Sequence, residues 1–114
     1  MKKEQRDHVL SLIRTLRNEF RELSSKKPND QVNPFKLKYV NQSIKEANEL
    51  LQEGKPYSEF ESFREEDLPT NIDALMIINL YLNGMERYRK HNSTEKVVGL
   101  DWDHTERVWN IEDK

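Results

Sequence analysis

The sequence predicts a mainly α fold: a three-helix bundle with a short acidic helical turn and a C-terminal element that is a β-hairpin or a short helix. Three observations predict it. Apolar residues recur at helical spacing in three separate stretches. Pro, Gly and Asn/Asp clusters punctuate the chain between those stretches. The composition is 34% hydrophobic and 35% charged with a net charge of only −2, whereas chains that stay disordered pair low hydrophobicity with high net charge. The 114 residues suit a single helical domain around one core, with helices at about 4–24, 34–53 and 71–91 and a tail at 95–112.

The most apolar stretch, residues 71–91, is read as the central helix. Pro69 precedes it, and Thr70 stands three residues before Asp73, the spacing of a capping box with Asp in the place of the usual Glu or Gln. At 100° per residue, Ala74, Leu75, Ile77, Ile78, Tyr81, Leu82, Met85 and Tyr88 fall on one arc of about 160°. An arc that wide suits two or more neighbours. Arg87, Arg89, Lys90 and His91 place positive charge at the C-terminal end, where the helix dipole favours it.

In the first helix Val9, Ile13, Leu16, Phe20 and Leu23 are spaced 4, 3, 4, 3, and Leu12 widens that seam. Two heptads suit a core-facing amphipathic helix, and a homodimer formed through the same seam is a variant of that pattern. Residues 24–30, with Pro28, Asn29 and Asp30, end the helix. The second helix opens at Asn33-Pro34, an N-cap with Pro at the first helical position. Leu37, Val40, Ile44, Ala47 and Leu51 form its seam, Phe35, Tyr39 and Leu50 an adjoining strip, and Gly54 its expected C-terminal cap. The short intervening loop makes the first two helices an antiparallel hairpin.

Ser58 and Glu61 have capping-box spacing, which predicts a helical turn over residues 59–65, with Phe60 and Phe63 packing down on the bundle. In the tail, a hairpin with strands near 97–102 and 107–111 competes with a short helix capped by Asp103 and Glu106. β-Branched and aromatic residues favour the hairpin. A two-stranded hairpin is marginal alone and needs to pack on the helices, through Trp102 and Trp109.

Charge is uneven: residues 1–27 carry a local +4, residues 59–73 a local −5 and residues 93–114 a local −3. Arg14, Arg17 and Arg21 fall within about 60° of one another on the first helix, with Lys3 and Arg6 near the same line. Such a row suits phosphate neutralisation, so a nucleic-acid-binding regulatory protein is the alternative function. Pairing of these arginines with the acidic residues 59–67 is the competing explanation, and no known nucleic-acid-binding motif accompanies them.

Asp101, Asp103 and His104 could hold a divalent cation, but the spacing lacks the remaining ligands and reads as a polar turn. No metal or other cofactor is expected. The carboxylates at 59–67 form a solvated run rather than a pair with separated pKa values. No Gly-rich phosphate loop, nucleophile elbow or cysteine is present, so no catalysis is expected. The absence of cysteine suits the cytoplasm, and the first residues lack the pattern of a secretory signal. The expected function is binding of another protein, as a regulator, adaptor, inhibitor or immunity-type factor. Ile72, Met76 and Leu80, which fall off the main arc of the central helix, and Trp102 and Trp109 in the tail are the candidate partner-binding residues.

Overall fold

The computed structural model describes residues 3–56, 60–97 and 105–110. Its elements run α1 (Lys3–Lys26), α2 (Pro34–Leu51), a single 3-10 turn (Gln52–Gly54), α3 (Asn71–His91), β1 (Ser93–Val97) and β2 (Thr105–Trp109). The helix starts obey the local chemistry. Asn33 accepts from the backbone N–H of Phe35 at 2.8 Å and of Lys36 at 3.4 Å, and Pro34 fills the first helical position, where no N–H is needed. Thr70 Oγ1 accepts from the N–H of Asp73 at 3.3 Å. Arg89, Lys90 and His91 close α3, and Asn92 ends it by donating from both its backbone N–H and Nδ2 to the Tyr88 carbonyl.

The three apolar seams meet in one core. Val9, Ile13, Leu16 and Phe20 of α1, Leu37, Val40, Ile44, Ala47 and Leu51 of α2, and Ala74, Ile77, Ile78, Tyr81, Leu82 and Met85 of α3 are all buried. Leu23, Leu75 and Tyr88 pack on the margin. The wide arc of α3 is therefore occupied by two neighbours, with α1 packed most extensively against it. Val9, Ile13, Leu16 and Phe20 of the α1 seam are buried inside the bundle, while Leu12 at its margin is half-buried. Gly84 marks the close approach of α3 to the end of α2: a Cβ there would lie 3.6 Å from Leu51 Cδ1 and from Pro56 Cδ.

The loop between α1 and α2 is stitched to the start of α3. Val32 N–H donates to Pro69 O at 2.8 Å, Asn71 N–H to Asp30 O at 2.9 Å and Ile72 N–H to Pro28 O at 3.1 Å. Asn71 Nδ2 also donates to Lys27 O at 2.9 Å, and Gln31 pairs with Thr70 in an isolated antiparallel bridge. With Val32 buried beneath, a segment that would expose loop backbone has its polar groups satisfied.

Three local expectations change. The helix α2 stops at Leu51, and the chain turns at Gln52, whose φ is 51°, rather than at Gly54. The described part of the acidic segment, from Phe60 onward, is irregular with a turn at residues 65–67, not a helical turn. Asn41 explains it: its Nδ2 donates to Phe63 O and its Oδ1 accepts from Phe63 N–H, both at 2.9 Å, satisfying backbone groups that a helix would have paired within itself. The proposed cap Ser58 lies outside the described residues. In the tail the hairpin forms, but β1 starts directly after α3 rather than near residue 97, in the register Ser93↔Trp109 to Val97↔Thr105. Thr94 and Asn110 tie its open end at 2.8–3.0 Å, with Asn110 N–H donating to Asn92 O at 2.7 Å.

Candidate functional site

On α3, Ile72, Met76 and Leu80 stand four residues apart, so they form one strip about 12 Å long. They are 43%, 58% and 38% exposed, in contrast to the fully buried opposite arc. Asn79 and Asn83 flank the strip, and Arg87 and Lys90 continue it toward the C-terminal end of the helix. None of the chain's described segments covers it. Phe60 and Phe63 pack edge-on to each other at 5.0 Å and lie on the other side of α3, with Phe60 6.5 Å from the Tyr81 ring.

Trp109 sits elsewhere and has internal partners. Its Nε1 donates to Asp7 Oδ1 at 2.7 Å, its ring lies 6.0 Å from that of Tyr88, and the Arg6 guanidinium carbon lies 4.9 Å from its ring centre. Arg6 is only 2% exposed. It therefore leaves the basic stripe and becomes the buried cation under an indole, an arrangement favoured by the ring's negative face. Trp109 thus clamps the hairpin onto α1 and α3. The second tail tryptophan, Trp102, lies outside the described residues, as do Asp101, Asp103 and His104. Among the described residues no group of three or more His, Asp or Glu side chains could hold a metal ion.

The arginine stripe is divided by its partners. Arg14 reaches across to Glu86 of α3, with Nε 2.8 Å and Nη2 2.5 Å from Oε1. Arg17 Nε donates to Asn18 Oδ1 at 3.0 Å, and Arg21 is exposed. Pairing with the acidic segment does not occur among the described residues: Glu61 pairs with Lys55 at 3.0 Å, while Glu66 and Asp67 lie 3.6 Å from Arg64. Short local pairs cost less chain ordering than a link back to α1.

Tyr81 is the buried titratable group with a displaced equilibrium. Its hydroxyl donates to Asn48 Oδ1 at 2.6 Å. Burial pushes its pKa above the ordinary 10.0; the Asn48 hydrogen bond acts in the opposite direction, and the negative charge of Glu61 adds to the rise. The bond to Asn48 ties α3 to α2 at the edge of the core.

A second apolar surface was not singled out by the sequence. Phe35 and Tyr39 on α2 are 67% and 57% exposed and meet edge-on at 5.1 Å. Their strip-mate Leu50 is buried. Tyr39 borders a groove of about 370 Å³ between α1 and α2, floored by Leu12 and Leu16. A hint was legible: both aromatics lie off the main seam of α2. Comparison with protein-family models, with curated proteins and with solved structures gives no significant match.

Proposed function

We propose that the protein is a small cytoplasmic binding module, without catalysis of its own, that captures another protein on the outer face of α3. The observation that carries this is the strip of Ile72, Met76 and Leu80, exposed along one helix face whose other side is fully buried. Each of these side chains is already about half buried, so leaving it uncovered forgoes roughly 1 kcal/mol of further burial for each one that a partner would cover. The chemistry of the strip specifies the partner. Met adapts to irregular surfaces, and the flanking Asn79 and Asn83 are uncharged, as suits the centre of an interface. Arg87 and Lys90 at its end favour an acidic rim on the other protein. The fitting partner is an apolar surface edged with carboxylates. No described helix is long and apolar enough to cross a membrane.

The test places a photo-crosslinking residue at Met76 and, as a control, at the exposed Arg21 on α1, away from both apolar surfaces, in cells that make the protein. A discrete protein adduct is expected from position 76 and not from position 21. Replacing Ile72 and Leu80 by Ser should remove the adduct while the helical circular dichroism stays unchanged. Equal labelling from both positions, or an adduct indifferent to those two replacements, rules the function out.

A further inference from the structure

We propose that the groove between α1 and α2 is filled by the same groove of a second copy of this chain, in an antiparallel four-helix arrangement about a two-fold axis. The three grooves of the bundle are treated differently by the chain itself. The α2–α3 side receives the acidic segment, pinned by Asn41 to Phe63 and by Phe60 against Tyr81. The α1–α3 side is closed by tight packing, by Arg14–Glu86 and by the Trp109 clamp at its end. Among the described residues nothing covers the α1–α2 side, where Leu12, Leu16 and Tyr39 line the groove.

The walls of that groove have the pattern of helices that pack against helices. His8, Leu12, Thr15 and Glu19 follow a 4, 3, 4 spacing on α1, and Tyr39, Gln42 and Glu46 follow a 3, 4 spacing on α2, with Phe35 one turn before Tyr39 and outside the groove. Heptad spacing on two adjacent antiparallel helices is the surface that a further helix pair meets at about 20°. Self-association requires a self-complementary face, and the charges here meet that condition. Lys36 and Glu19, paired at 2.5 Å, stand at one end of the groove, while His8 and Glu46 stand at the other. A two-fold axis across the middle lays the Lys36 end of one copy over the Glu46 end of its partner.

Glu46 is the group such a contact would satisfy. One of its carboxylate oxygens is held loosely by Gln42 Nε2 at 3.4 Å, and the other, Oε2, is buried with no hydrogen-bond partner. A buried carboxylate oxygen without a donor is costly. In the dimer the Glu46 side chain turns this carboxylate outward, from its buried position to a lysine ammonium of the second copy. Phe35, 67% exposed just beyond the Lys36 end, lands against the opposite end of the partner groove. The walls span about 17 Å of helix, which is small for a protein interface and places the dimer among weak, reversible ones with dissociation constants on the order of 1–100 μM.

Sedimentation equilibrium of the full chain from about 1 to about 300 μM covers that range. A reversible monomer–dimer equilibrium is expected. Tyr39→Glu should weaken it at least about tenfold, and Met76→Ser on α3 should leave it unchanged. Glu46→Lys and Lys36→Glu should each weaken dimerisation, and the double charge exchange should restore it. Circular dichroism on every variant reports whether the helices persist. A chain that stays monomeric throughout, a dimer indifferent to Tyr39→Glu, or a charge exchange that fails to restore the dimer would each overturn the proposal. A dimer lost only with Met76→Ser would also overturn it, and would leave capture through α3 standing.

Discussion

Tyr81 shows how one buried hydroxyl couples stability to pH. Its phenol is held by Asn48 at 2.6 Å in a site that raises its pKa, chiefly by burial. The unfolded phenol ionises near 10.0 and the folded one only at higher pH. Its contribution to stability is therefore complete below pH 10 and declines as the pH climbs from there through the raised folded value, where the unfolded state releases its proton first. Tyr81→Phe is expected to cost about 1 kcal/mol at neutral pH through the lost hydrogen bond. It should also flatten the alkaline decline relative to the parent. Urea denaturation of both proteins between pH 7 and about pH 11 measures each effect. Arg6 makes a related point. Its place in a row of cations suggested an exposed stripe, but the arrival of Trp109 from a hundred residues away gave it a ring to lie under.

At the scale of elements, the hairpin depends on the helices rather than on its own ladder. Five paired positions make a marginal two-stranded sheet. What holds it is Asn110 N–H on Asn92 O, and Trp109 against Asp7, Arg6 and Tyr88. Trp109→Ala is expected to raise amide exchange in residues 93–97 and 105–109 by at least about tenfold, while the protected amides of α1 and α3 keep most of their protection. Uniform loosening of all three helices would show instead that the indole belongs to the main core. The acidic segment is held in the same way, by Asn41 acting as a substitute for a neighbouring strand. Its path over the bundle therefore follows one amide side chain on α2, not its own helix signals.

For the whole molecule, magnitudes decide which forces hold the bundle. Ile13 is fully buried between helices, and a large-to-small change at such a site typically costs 2–5 kcal/mol. Arg14, its sequence neighbour, makes a short bond to Glu86 but remains 44% exposed, and exposed ion pairs are worth about 1 kcal/mol or less. Ile13→Ala is accordingly expected to lower the urea midpoint far more than Arg14→Ala, and high salt should erase what little the second variant loses. An equal loss from both would mean that the inter-helix ion pair, not apolar burial, sets the α1–α3 contact. The same accounting separates the two proposed binding surfaces. Ile72, Met76 and Leu80 on α3 and Tyr39 on α2 stand outside the buried core, so variants at these positions report binding rather than folding.

The sequence by itself determined the three helices, because period, caps and breakers are local: Asn33-Pro34, Thr70 and the apolar seams act within a few residues of where they stand. It also determined which arc of α3 would be buried, and so which residues, Ile72, Met76 and Leu80, would be left over. Only the tertiary structure decided what covers what. That Trp109 turns inward to Arg6 and Asp7, that Phe35 and Tyr39 stay in water while Leu50 does not, and that Asn41 takes hold of Phe63 all depend on contacts between residues far apart in the chain. Periodicity says that a side chain lies on a helix face. Whether that face meets a neighbour, a strap or solvent depends on how the helices are placed around one another.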